Sequence, residues 1–391
     1  MIAAEAALTA SLEERRRAGL FRERPILRSA QGTEVRIDGR DLLAFCSNDY
    51  LSLANHPDVI AALRDGAVRY GVGSGASHLI SGHSEVHEEL EIALARFTNR
   101  PRALLFSTGY MANAGAITAL MSRRNQVLHD RLNHASLLDA TQMSGARLRR
   151  FPHLDTATLS RWLTDTTEQT TLIATDGVFS MDGDAANLPE LVRLARQHET
   201  WLMVDDAHAL GVIGEDGGGS CAHWGLPASD VPILVGTLGK AFGTFGAFVA
   251  GSESLIETLI QSAHSYIYTT AMPPAVAYAT LASLELIKNE PGRRTHLRRL
   301  TQRVIDGAHA IGLYVPVPAP GHPTTPIIPL IVGTADAAMA MSRALLEQGI
   351  MVGAIRPPTV PTGTARLRIT LSAAHTDEQV DRLIEALARC P

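Results

Sequence analysis

Cysteine is scarce in this 391-residue chain: Cys46, Cys221 and Cys390 lie far apart and are odd in number. That excludes a disulfide framework and a CxxC zinc site, and leads us to expect a reducing, cytoplasmic environment. Long apolar runs are missing too. The most hydrophobic stretches, 327–332 and 247–250, are short and bounded by Pro or Gly, so no membrane-spanning segment is expected. The first twenty residues carry Glu5, Glu13, Glu14 and Arg15–Arg17 without an apolar h-region, so no signal peptide is expected there. Charge of one sign does not accumulate. Lys and Arg number 35 against 40 Asp and Glu, a net −5 with no basic tail, so nucleic acid is not an expected partner. There is no internal repeat and no low-complexity run. What remains, 46% apolar and 19% charged, is the balance of a folded protein of two or three packed units, or of one large α/β domain with an appendage.

Residues 4–18 read as an amphipathic helix, and 34–37 with 42–45 as a hairpin about Asp38-Gly39, a favoured turn pair. From residue 84 the text alternates helices with short, continuously apolar strands: 103–106, 126–129, 171–175, 201–205, 232–235 and 247–250. Such alternation predicts a mostly parallel sheet covered on both faces. After Met272-Pro273-Pro274 a long helical region runs to about Gly312, the Pro-rich stretch 316–329 rules out a regular helix there, and roughly 290–391 reads helix, strand (327–331), helix (336–348), strand, strand (366–370), helix. The expected division is an N-terminal helix and hairpin segment (1–45), a large domain (46–290) and a smaller α+β domain (291–391).

Four strands end in polar residues at their C-terminal edge, where ligands bind in open α/β sheets. Phe106 runs into Ser107-Thr108-Gly109-Tyr110, a helix start that would hold a phosphate. Thr175 runs into 176–184, Val204 into Asp205-Asp206-Ala207-His208, and Val235 into Gly236-Thr237-Leu238-Gly239-Lys240. The last is not a P-loop, because Leu234 and Ala241 stand where GxxxxGK[ST] needs Gly and Ser or Thr. Gly71, Gly73 and Ala76 follow a helix rather than a strand, which disfavours a dinucleotide fold. His83 and His87 are spaced as in zincins, but Ser84 replaces the required Glu. No metal site is assigned, and His78, His83 and His87 stay without a role. What is left is a phosphate cradle, an acid, two histidines and one lysine between Gly239 and Gly243. A desolvated lysine is a nucleophile toward an aldehyde, Asp205 would keep a pyridinium nitrogen protonated, and His134 would stack on a ring. These are the parts of a pyridoxal 5'-phosphate site. Against each stands a plainer reading: Asp205 as a turn cap, His134 as a helix-start residue, Arg356 and Arg22 as solvated charge. Asp206 is read as structural.

The chain resembles the α-oxoamine synthases among the fold-type I pyridoxal-phosphate enzymes over nearly its whole length. The motifs are Cys46-Ser47-Asn48-Asp49-Tyr50-Leu51, the run 71–82, Thr108-Gly109-Tyr110-Met111-Ala112-Asn113, Arg131-Leu132-Asn133-His134-Ala135-Ser136, and 176–184. They continue with Met203-Val204-Asp205-Asp206-Ala207-His208, Thr237-Leu238-Gly239-Lys240-Ala241-Phe242-Gly243, and Ala354-Ile355-Arg356-Pro357-Pro358-Thr359-Val360-Pro361. The resemblance implies a seven-stranded, mostly parallel sheet with a smaller C-terminal domain, and a homodimer. It implies Lys240 as the Schiff-base lysine, Asp205 on the pyridine nitrogen, His208 on the phenolic oxygen and His134 on the ring face. Gly109, Tyr110, Ser180 and Thr237 would position the cofactor. Asn48 and Arg356 would hold the amino-acid carboxylate, with Arg22 and Thr359 touching substrate and Arg368 ranked below Arg356. Within the family the likeness is to the biotin-pathway branch, which implies L-alanine and pimeloyl-CoA or a pimeloyl-carrier protein. The alternatives are sister enzymes using glycine or serine with other acyl-CoAs, a non-catalytic binding module on the same fold, and, more weakly, a metal-dependent hydrolase.

Overall fold

In the strand Arg102–Phe106, Ala103 and Leu105 pack to one side while Leu104 and Phe106 pack to the other. Side chains alternate along a strand, so an unbroken apolar run means that both faces are buried. The computed structural model describes residues 3–18, 20–165 and 170–390. Its main sheet has seven strands, in the order Arg102–Phe106, Ala247–Gly251, Ile233–Thr237, Trp201–Asp205, Thr171–Asp176, Gln126–Asp130 and Arg147–Phe151. Only Ala247–Gly251 runs antiparallel to its neighbours; the others share one direction, which brings their C-terminal ends to one edge.

Helices Gly109–Leu120, Ala135–Ser144 and Glu253–Ser262 cover one face. Helices Glu85–Phe97, Thr156–Thr164 and Leu188–Gln197 cover the other. The long helical region is two helices, Pro274–Asn289 and Pro291–Ala310. Beyond them Ile327–Gly333, Ala365–Thr370 and Gly353–Ile355 form a small antiparallel sheet backed by Ala335–Glu347 and Asp377–Ala388.

The hairpin Glu34–Ile37/Arg40–Ala44 turns at Asp38 (φ +50°) and Gly39 (φ +78°), the two positive angles its tight turn requires. Its second strand pairs in parallel with Ile350–Met351, and Phe45 accepts from the Thr370 N–H at 2.9 Å. The first strands are thus hydrogen-bonded into the C-terminal part of the chain.

Candidate active site

At the C-terminal edge of the main sheet a cavity of about 200 Å3 opens. It brings together Gly109, Tyr110, His134, Ser180, Asp205, His208, Thr237 and Lys240, the eight residues that the sequence reading gave to the cofactor. Asn113, Ser136 and Asp176 join them.

Lys240 stands on the turn after Ile233–Thr237. Gly243 (φ +67°) allows this turn to close: a Cβ there would lie 2.3 Å from the Ala54 nitrogen, so no other residue fits without displacing backbone. Burial draws the Lys240 pKa down to about 8, against the attraction of Asp205 and Asp176. Its Nζ lies 2.8 Å from His208 Nε2. A consistent proton assignment runs onward from there. Lys240 donates to Nε2, His208 Nδ1–H donates to Tyr50 Oη (2.7 Å), and Tyr50 donates to Asn48 Oδ1 (3.1 Å). Burial, then the Lys240 and Arg368 charges, hold the His208 pKa well below the usual histidine range.

Asp205 ends its strand buried, its oxygens held by Asn113 Nδ2 (2.7 Å) and the Ala207 N–H (3.1 Å). Asn113 Nδ2 also donates to Ser136 Oγ (2.8 Å), leaving the Ser136 hydroxyl to donate to His134 Nδ1 (2.7 Å). This fixes the His134 ring, whose pKa is lowered mainly by burial. Asp176 is fully buried. Desolvation, then the neighbouring Asp205, pushes its pKa well above the carboxylate range, against the pull of Lys240. Asp206 turns away, accepting from the Ser220 N–H at 2.8 Å in a buried turn.

Asp176 Oδ1 and Asn113 Oδ1, on residues lining this cavity, are buried with no protein partner, and buried polar atoms left unpaired are costly. Thr108 caps helix Gly109–Leu120 by accepting from the Met111 N–H (3.2 Å), and the Gly109 and Tyr110 amides stand free at the helix start. A flat ring with a basic nitrogen, an aldehyde and a phosphate fits this donor set: acid at one end, lysine at the side, helix start at the other end.

Of the residues expected to bind substrate, His134 lies in this cavity and the others are spread over further cavities. Asn48 lines a cavity of about 510 Å3 on the far side of Lys240. Arg22, Arg356 and Thr359 line one of about 960 Å3 between the N-terminal helix Ala3–Arg17 and residues 352–359. Arg356 Nη1 donates there to Met339 Sδ at 2.8 Å. The arginine beside the lysine is Arg368. It is buried, and donates to Ser180 O (2.6 Å) and Asn48 Oδ1 (3.2 Å). Its signal in the sequence was a charge inside an apolar strand, Ala365–Thr370. Tyr50, Asn113 and Asp176 carried no signal beyond lying in the motifs.

Residues 40–387 match the family model for aminotransferase class I and II. An 8-amino-7-oxononanoate synthase from Stutzerimonas stutzeri is 61% identical over 383 residues, 98% of this chain and 96% of that protein. One from Pseudomonas aeruginosa is 61% identical over 380 residues, covering 97% and 93%. Among solved structures, the Sphingomonas wittichii serine palmitoyltransferase superposes with a TM-score of 0.91 at 31% identity, covering 99% and 97%. An 8-amino-7-oxononanoate synthase from Francisella tularensis does so with a TM-score of 0.78 at 31% identity, covering 89% and 97%. The fold is common to both kinds of enzyme, whereas the 61% identity lies with one of them. The chain belongs to the aminotransferase class I and II family and, within it, to the 8-amino-7-oxononanoate synthases.

Proposed function

We propose that the protein condenses L-alanine with pimeloyl-CoA or a pimeloyl-carrier protein, with loss of CO2 and release of the thiol, to give 8-amino-7-oxononanoate in biotin biosynthesis. The reading is carried by one observation: a buried lysine, an acid pair and a free helix start meet in one cavity of a chain 61% identical to 8-amino-7-oxononanoate synthases. Pyridoxal phosphate, when bound, supplies an aldehyde for amines and an electron-poor ring that spreads the negative charge left on the substrate α-carbon.

The chain's own residues do the rest. Lys240 would hold the cofactor through Nζ and, when its amine is free, would take the α-proton of alanine at Nζ as general base. Asp205, fixed by Asn113 and the Ala207 N–H, would face the ring nitrogen, and His134 would offer its ring face. The Gly109 and Tyr110 amides and the Thr237 hydroxyl would hold the phosphate. Arg368 and Asn48 take the alanine carboxylate, while Arg22, Arg356 and Thr359 face the acyl donor. The α-carbon forms its new bond to the thioester carbonyl carbon, and the thiol leaves. The carboxylate then departs as CO2, and Nζ returns a proton to the same carbon.

A homodimer accompanies this reading. Val68, Val72, Ile80 and Tyr268 are each more than three-quarters exposed, and large apolar side chains left in water suit a subunit contact. Sedimentation of a fully active monomer would contradict it.

The test is thiol release from holoenzyme across alanine, glycine and serine against pimeloyl-, acetyl-, succinyl- and palmitoyl-CoA. Release confined to alanine with pimeloyl-CoA is expected. Turnover with glycine and a short donor would move the enzyme to a sister branch. A Lys240→Ala protein that turned over normally without added amines would overturn the mechanism.

A further inference from the structure

Away from the Lys240 cavity, residues 78–82 form a single π-helical turn that leads into helix Glu85–Phe97. Such turns are rare and collect at functional sites. Gly82 closes it: a Cβ there would stand 2.1 Å from the Ala76 carbonyl oxygen. The turn and the helix bring three imidazoles together. One ring nitrogen from each of His78, His83 and His87 lies within 4.8 Å of the other two. His78 Nδ1 and His83 Nδ1 face each other at 2.9 Å.

The outer bonds of these rings fix which nitrogens carry lone pairs. His83 Nε2 meets Glu88 Oε2 at 3.3 Å, so its proton sits on Nε2 and Nδ1 carries the lone pair. His87 Nε2–H donates to the Met272 carbonyl at 2.8 Å, leaving the His87 lone pair on Nδ1, where it accepts from the Ser84 N–H at 3.0 Å. A carboxylate behind one imidazole and a backbone carbonyl behind another are the outer contacts that orient metal-binding histidines. His78 is buried and stacked on Tyr266 at 4.9 Å. The His83 side chain keeps 29% of its surface in solvent, which gives an ion a way in.

We propose that His78, His83 and His87 form a three-imidazole site for a divalent transition-metal ion of the Zn2+ class, with Glu88 and the Met272 carbonyl as its outer supports. Two nitrogens around a tetrahedral Zn2+ at about 2.0–2.1 Å stand roughly 3.4 Å apart, between the 2.9 Å of the His78–His83 pair and the 4.8 Å within which all three lie. On binding, His78 shifts its proton from Nδ1 to Nε2, and His87 Nδ1 exchanges the Ser84 N–H and Oγ, its capping contacts at the start of helix Glu85–Phe97, for the ion. The fourth position is open to water. The ion would clasp the 78–82 turn to helix Glu85–Phe97.

The experiment titrates chelator-treated, cofactor-loaded protein with Co2+, reading visible ligand-field absorption and metal content per chain after gel filtration. One Co2+ per chain is expected, with the intense spectrum of a four-coordinate ion and displacement by Zn2+. His83→Gln should abolish it, with the cofactor absorbance intact as the check on folding. Glu88→Gln, on an exposed side chain, should weaken it roughly 10–100-fold, and it serves as the deciding variant where His83→Gln does not fold. No saturable uptake, a pale six-coordinate spectrum, unchanged uptake in His83→Gln, or unchanged affinity in Glu88→Gln would each overturn the proposal.

Discussion

Lys240 is subject to opposing influences. Loss of water is the larger and lowers its pKa to about 8, while Asp205 and Asp176 pull it back up. Attack on an aldehyde needs the neutral amine. Reconstitution of cofactor-free protein with pyridoxal phosphate should therefore accelerate as pH rises through about 8 and level off above; a stopped-flow rate flat across that range would contradict it. The two arginines divide the substrate differently. Arg368 lies beside Asn48 and Ser180, near the lysine, and Arg356 lies in the larger cavity. A charge-assisted hydrogen bond is worth about 1.5–3 kcal/mol, so Arg368→Gln should raise KM for alanine roughly 10–100-fold and leave KM for the thioester nearly unchanged. Arg356→Gln should do the reverse. Steady-state kinetics with each substrate varied in turn separates the two.

Between elements, the strand ends are tied by His153. Its ring bonds Asp130 at 2.9 Å, at the end of Gln126–Asp130, and Asp184 at 2.8 Å. Burial works against a charged ring, but the two carboxylates outweigh it and hold the pKa up at about 10. The folded pKa thus exceeds the unfolded one, so this stabilisation is complete below about pH 6.5 and fades as pH climbs towards 10. His153→Gln should cost about 1–3 kcal/mol at neutral pH, since buried Asp130 would keep only the Leu132 and Leu154 N–H bonds, and the deficit should shrink at high pH in urea titrations. At this scale the sequence was legible where apolar periodicity was strong. Six strands of the main sheet were placed from it. The seventh, Arg147–Phe151, escaped because it is an edge strand carrying Arg147, Arg149 and Arg150, and an edge needs no second apolar face. The eight cofactor candidates fell into one cavity because each follows a strand or opens a helix, which motif spacing records. Arg368 and Tyr50 reach the same region from chain segments more than 300 residues apart, and no local pattern reports such a meeting.

For the molecule as a whole, one buried cluster contains Phe248 of the main sheet, Leu297 and Leu300 of Pro291–Ala310, Leu367 and Ile369 of the small sheet, and Phe45 after the hairpin. An apolar core shared in this way couples the parts it joins. The amides of Ala365–Thr370 and of Ala247–Gly251 should therefore exchange with the same free energy of opening in cofactor-free protein. Protection of the small sheet lower by several kcal/mol would mean that it opens separately.

The parallel pairing of Leu43 and Ala44 with Ile350 and Met351 also bears on how the protein is made. A ribosome synthesises the partner strand roughly 300 residues after the hairpin, about 15–60 s later at ordinary elongation speeds. Throughout that interval Arg40–Ala44 has one unpaired edge, with Leu42, Leu43 and Ala44 lacking the surroundings that bury them in the finished protein. An open apolar strand is a template for the wrong neighbour, so the nascent chain carries this open edge until Ile350 and Met351 emerge to close it.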